Sequence, residues 1–185
     1  MPRKLNLAAD VLDTRFRALS REYHPDYFHS ASPEARRDSV SRSSYLNDAY
    51  RTLKDPLARA AYLLELEGLA AKSPQEASRH LPPALLEEVF ALNEELDEVR
   101  SLRASGAPES EWRGRLERAR RPIDDKRARH EAGLADLAAR WDALVDADAP
   151  AAARRDVLGE LRDRVLERHY ITNLLAGIER ELEAR

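Results

Sequence analysis

Apolar residues recur along this chain at helical spacing and almost nowhere with the alternation of a strand. Leu12, Phe16, Leu19 and Tyr23 fall at intervals of four, three and four, on one side of a helix predicted over residues 9–23. Arg15, Arg17 and Arg21 stand off that stripe and are assigned to the opposite face. His24-Pro25-Asp26 ends the helix, because a proline disfavours helical geometry in the residue before it. A polar loop follows over residues 27–32. Ser32-Pro33-Glu34 reads as an N-cap, a proline at the first helical position and an acid in the first turn. The helix it opens is expected to reach about Lys54, with Leu46, Ala49, Tyr50 and Leu53 as its apolar stripe, and Asp55-Pro56 breaks it. A shorter helix then carries Leu57, Ala60, Ala61 and Leu64 and stops at Gly68.

Residues 69–83 hold Pro74, Pro82 and Pro83 among small and polar side chains, the pattern of a linker. The division expected is therefore a helical module over 1–68, a linker over 69–83 and a second domain over 84–185. In that second part the helices lengthen. Leu85, Val89, Leu92, Leu96, Val99 and Leu102 repeat close to a heptad seam. Ser105-Gly106-Ala107-Pro108 turns the chain. A long pattern from Glu109 to about Asp146 carries Leu116, Ile123, Leu134, Leu137, Trp141 and Leu144, with Pro122 expected to kink or interrupt it. After Pro150 a last helix carries Leu161, Val165, Ile171, Leu175, Ile178 and Leu182. Three long antiparallel helices would bury these stripes together. The fold class is all-α: an N-terminal helical hairpin followed by a C-terminal three-helix bundle.

Composition narrows the function. Of 185 residues 43% are hydrophobic, 35% charged and only 6% aromatic, with 6 Gly, a balance that favours long helices over sandwiches, barrels or doubly wound sheets. With no Cys there is neither a disulfide scaffold, nor a thiolate metal site, nor a cysteine nucleophile. A net charge of −3 argues against a bulk polyanion binder. No apolar run approaches the roughly 18 residues of a membrane span, and no signal-peptide core follows the basic start, so the expected compartment is cytoplasmic. His24, His29, His80, His130 and His169 lack the spacing of a metal cage. Asp124-Asp125 and Glu94-Glu95 read as solvated helix surface, and no glycine-rich phosphate loop exists. The basic residues over 113–129 are broken by Glu117, Asp124 and Asp125 and lack interleaved aromatics, which fits a salt-laced helix face better than a nucleic-acid track. The expectation is a protein without catalytic activity, cofactor, metal or nucleic-acid partner.

What carries information is His24-Pro25-Asp26 in its setting. Alone the tripeptide is an ordinary helix stop with Asp26 as a turn residue. Here an arginine-bearing helix runs into it, a loop follows, and a second helix returns antiparallel. That arrangement resembles the J domain, the module that activates DnaK-type chaperones. Arg21-Glu22-Tyr23-His24-Pro25-Asp26-Tyr27-Phe28 is similar to the sequence around the tripeptide in the HscB family, the J-type co-chaperones of iron–sulfur cluster assembly. So are Leu46-Asn47-Asp48-Ala49-Tyr50-Arg51-Thr52-Leu53, the run Asp55-Pro56-Leu57-Ala58-Arg59-Ala60-Ala61-Tyr62-Leu63-Leu64, and Asn93-Glu94-Glu95-Leu96-Asp97-Glu98.

The resemblance implies a co-chaperone that binds an IscU-type scaffold, delivers it to a DnaK-like (HscA-type) chaperone and stimulates that partner's ATPase. It implies chaperone binding through Arg15, Arg17, Arg21, His24, Pro25 and Asp26. The cations would steer the encounter, Pro25 would stiffen the loop, and Asp26 would offer a carboxylate to a chaperone arginine. It implies scaffold binding through Leu86, Phe90, Glu94, Glu98 and Tyr170, within a C-terminal domain devoted to scaffold binding and oligomerisation. From the residues alone, Leu86, Phe90 and Tyr170 have two readings, a partner face or the completion of bundle packing. Two departures stand out. The short aromatic helix that opens the family's J domain is expected to be lacking here, which would leave Phe16, Leu19 and Tyr50 more exposed. Tyr27 stands where a lysine is usual. The rival functions are an adaptor for a different client, and a helical interaction protein without chaperone activity.

Overall fold

The computed structural model describes residues 3–70 and 83–184, and within them every regular element is helical. In chain order these are α1 (Ala9–Glu22), a 3-10 turn (Pro25–Phe28), α2 (Pro33–Lys54), α3 (Pro56–Leu66), α4 (Pro83–Ala104), α5 (Glu109–Asp146) and α6 (Ala151–Glu183). The boundaries follow local chemistry. Ser32 Oγ accepts the Ala35 N–H at 3.2 Å and Asp55 Oδ1 accepts the Ala58 N–H at 2.6 Å, each with a proline as the next residue. Gly68 and Gly106 take φ of +71° and +78°, which lets Leu69 N–H reach back to Leu64 carbonyl and Ala107 N–H to Leu102 carbonyl, closing α3 and α4. The linker expected over 69–83 lies, for residues 71–82, outside the described residues, as does His80.

Two hydrophobic cores are stacked along the same pair of long helices. In the first, Leu134, Leu137 and Trp141 of α5 and Val157, Leu158 and Leu161 of α6 enclose Ala60, Leu63 and Leu64 of α3, together with Leu5. In the second, Leu92, Leu96 and Val99 of α4 pack with Trp112, Leu116 and Ile123 of α5 and with Ile171, Leu174, Leu175 and Ile178 of α6. Of the kink or interruption expected at Pro122, an interruption does not occur: α5 runs unbroken for 38 residues. Its neighbours Leu116 and Ile123 are both buried in the second core, and that packing outweighs the one backbone N–H that proline lacks. α4 runs parallel to α6 and antiparallel to α5. Its register on α6 is set where Leu96 lies against Gly177, with a methyl 3.4 Å from the position a β-carbon would take, and where Arg100 and Arg103 meet Glu181.

The α1–α2 hairpin is built differently. α1 buries no residue and α2 buries only Ser39. Polar and aromatic clasps join the two helices instead. Tyr50 donates its hydroxyl to Asp13 at 2.7 Å and accepts from Lys54 at 2.8 Å, Phe16 stacks on Tyr50 at 4.0 Å, and Ser39 Oγ donates to Tyr23 carbonyl at 2.9 Å. Phe16 and Tyr50 are half-buried and Leu19 is 37% exposed.

Candidate functional site

At the hairpin tip short-range bonds shape the turn, and the Ser39 hydroxyl ties Tyr23 to α2. Tyr23 caps α1, its N–H bonded to Leu19 carbonyl at 3.0 Å. His24, restrained by the proline after it, takes an extended backbone (φ −64°, ψ 127°), and Pro25 opens the 3-10 turn with its fixed φ. Tyr27 N–H closes the turn on His24 carbonyl at 3.0 Å. The His24 ring folds over its own loop, Nδ1 accepting the Asp26 N–H at 3.3 Å. His29 Nδ1 meets Asp26 carbonyl at 2.9 Å. The backbone of Asp26 is therefore engaged on both sides while its carboxylate stands 86% exposed, 3.5 Å from the His24 ring. Tyr27 lies edge-on to that ring at 6.1 Å and is itself exposed.

Arg15, Arg17 and Arg21 are all exposed on α1, and among the described residues none of them is in an ion pair. Helical geometry separates them into two groups. At about 100° per residue Arg17 and Arg21 lie roughly 40° apart, while Arg15 is about 160° round from Arg17, on the flank of the apolar stripe. The cationic face next to the tip is therefore Arg17 and Arg21.

The second candidate surface is on α4. Leu85, Leu92, Leu96 and Val99 face the bundle and are buried, whereas Leu86 is 44% and Phe90 69% exposed. Packing into either core does not account for those two side chains. Glu94 and Glu98 are exposed one and two turns on. Arg115 of α5 reaches Glu98 at 3.4 Å and holds Glu95 at 2.7 Å, and its hydrogen bond keeps the Glu95 carboxyl below the usual carboxylate range. Tyr170 is half-buried on α6, its ring edge-on to His169 at 6.0 Å. The Leu96–Gly177 and Arg100–Glu181 contacts share one offset along the parallel helices, which sets Tyr170 level with Val89 along the bundle axis. Among the described residues no cluster of side chains is suited to hold a metal ion, and no helix is long and apolar enough to cross a membrane.

The sequence reading missed a third feature. Before α1 the chain lies against α5: Leu5 and Asn6 give their N–H groups to the two oxygens of Asp142 at 2.6 and 2.9 Å, and Trp141 Nε1 donates to Arg3 carbonyl at 2.7 Å. Lys4 pairs with Asp146 at 2.6 Å, a hydrogen bond that raises its pKa, and Arg3 pairs with Glu67 at 2.7 Å. Its partners lie more than 130 residues apart in the chain for all but Arg3–Glu67, which is why no local pattern announced it.

No family model matches the chain. Among characterised proteins it is similar to the Co-chaperone protein HscB homolog of Vibrio cholerae, 41% identical over 99 residues, which are 54% of this chain and 57% of that protein. The Vibrio vulnificus homolog is 37% identical over the same lengths. The match thus spans little more than half the length of these curated relatives. Among solved structures, the chaperone HscB from Vibrio cholerae superimposes with a TM-score of 0.65 at 28% identity, covering 97% of this chain and 92% of that one. Human co-chaperone HscB does so with a TM-score of 0.67 at 23% identity, covering 98% and 78%, a likeness of fold.

Proposed function

We propose that this chain, HscB-like in sequence and in fold, acts as a J-type co-chaperone that carries an iron–sulfur scaffold protein to a DnaK-like chaperone of the HscA type. One observation carries the reading: a bonded tip presents Asp26 to solvent beside Arg17 and Arg21, which are in no ion pair among the described residues, while a separate exposed pair, Leu86 and Phe90, sits on α4. The division of labour follows from the chemistry of the two surfaces. Exposed guanidinium groups steer an acidic partner at long range and fall silent in salt. The Asp26 carboxylate, held in place through its backbone, suits a charge-assisted pair with an arginine of the chaperone. Leu86 and Phe90 supply the apolar anchor that partner faces need at their centre, and Glu94 and Glu98 the polar rim. Tyr170 extends that anchor from α6. The chain itself transfers no group; the hydrolysis it accelerates belongs to the chaperone.

The test is chaperone ATPase rate with and without this protein. His24→Gln and Asp26→Asn are expected to abolish the stimulation while leaving helicity and scaffold affinity unchanged, since both side chains lie in a surface loop. Full stimulation by either variant removes the J-type reading. A titration with purified scaffold separates this function from an adaptor for another client, which would leave the scaffold unbound.

A further inference from the structure

α1 carries the arginine face into the tip, yet it buries no side chain of its own. A helix of 14 residues is marginal in water by itself, so its position must come from neighbours. One set is the clasp with α2 through Asp13, Phe16, Tyr23 and their partners. The other is the segment that leads directly into it. Residues 3–6 are bound to α5 by an unusual device: one carboxylate, Asp142, accepts two successive main-chain N–H groups, while the neighbouring Trp141 indole donates to the Arg3 carbonyl. Leu5 is buried among residues of α3, α5 and α6, so the segment is anchored by a side chain as well as by its backbone. Beneath it lies a cleft of about 380 Å³ lined by Leu5, Leu57, Ala60, His130 and Leu134. The segment is thus held by three main-chain hydrogen bonds and one buried side chain.

We propose that residues 3–6 form a latch, closed by Asp142 and Trp141, that fixes α1 on the bundle. With the latch closed, the tip and the α4 surface belong to one body; with it open, α1 keeps only the α2 clasp and moves while α5 and α6 stay folded. The consequence for delivery of a partner rests on the docking reading above, but the latch itself does not.

The experiment uses the full chain and neither partner, so a failure here and a failure of the ATPase test are distinct. Because the chain has no cysteine, Ala18→Cys on α1 and Ala152→Cys on α6 give the only two thiols for spin labels. The distance distribution between them is measured in the parent and with Asp142→Asn added. Asparagine can accept one N–H but turns its own NH2 toward the other, leaving an amide unpaired. The expected result is a broadened distribution, with the Leu5 and Asn6 amides exchanging about tenfold faster or more and the core amides of α5 and α6 unchanged. Asn6→Pro, which deletes one donor from the segment and leaves α5 intact, is expected to broaden it likewise. A distribution as narrow in both variants as in the parent overturns the latch.

Discussion

Truncating Phe90 to alanine separates a partner face from a packing position, and the exposure of the side chain sets the size of the effect. Burying a whole Phe side chain stabilises a fold by roughly 1.5–3 kcal/mol. Phe90 is 69% exposed, so less than a third of that contribution, under about 1 kcal/mol, is at stake. Alanine returns about half a kcal/mol through its better helix propensity at a solvent-facing site. The net loss of stability should therefore be at most about 0.5 kcal/mol, a shift in Tm of about 2 °C or less for a chain of this size. Leu96, two turns along α4 and 5% exposed, provides the contrast: Leu96→Ala should cost about 2–5 kcal/mol, because a cavity opens in the second core. Binding should invert the order. If Phe90 anchors the scaffold, its truncation should remove about 2 kcal/mol of affinity, roughly thirtyfold in Kd. Urea melts of the two variants, paired with calorimetric titration against the scaffold, give both numbers. A Phe90→Ala variant that loses more than 2 kcal/mol of folding stability, or that binds as tightly as the parent, refutes the reasoning.

Two further outcomes follow from the charges. Replacing Arg17 and Arg21 together by alanine should slow association with the chaperone several-fold at low salt, leave dissociation nearly unchanged and flatten the salt dependence; stopped-flow rates unchanged in the double variant would mean that the face is merely solvated. Arg115 holds the Glu95 carboxyl below its ordinary range, so this tie between α4 and α5 is fully present above the ordinary glutamate pKa and is lost as pH falls through the lowered value. Acid melts should therefore show Glu95→Gln less pH-dependent than the parent below the ordinary glutamate range, and identical slopes would exclude Glu95 as a contributor.

Helix identities and ends were legible because they are written in contiguous residues: Ser32-Pro33, Asp55-Pro56 and Gly68 each act within a turn of where they stand. The tip was legible for the same reason, since His24, Asp26 and Tyr27 bond among themselves. The continuity of α5 through Pro122 was not legible because local propensity says nothing about the packing that surrounds Leu116 and Ile123. Leu63 escaped notice because it lies off the stripe drawn through Ala60 and Leu64, yet α3 is enclosed widely enough to bury all three. The Arg15 discrepancy is geometric: counting residues grouped three arginines that helical rotation separates. Asp142 was invisible for a deeper reason. Its partners are backbone amides at Leu5 and Asn6, and a main-chain N–H leaves no signature in the identity of a residue.

The two stacked cores have no residue in common, although both are strung on α5 and α6. Between them sit His130, buried and bonded through Nε2 to Arg164 carbonyl at 2.7 Å, and Gly133, where the Arg164 guanidinium lies 3.0 Å from the position a β-carbon would occupy. That polar node divides a rod about 57 Å long. Substitutions at well-separated sites without shared partners add to within about 0.5 kcal/mol. The molecule is therefore built as two nearly independent energetic ledges on a common beam, and substitutions at the α4 end should leave the seat of α3 at the other end firm.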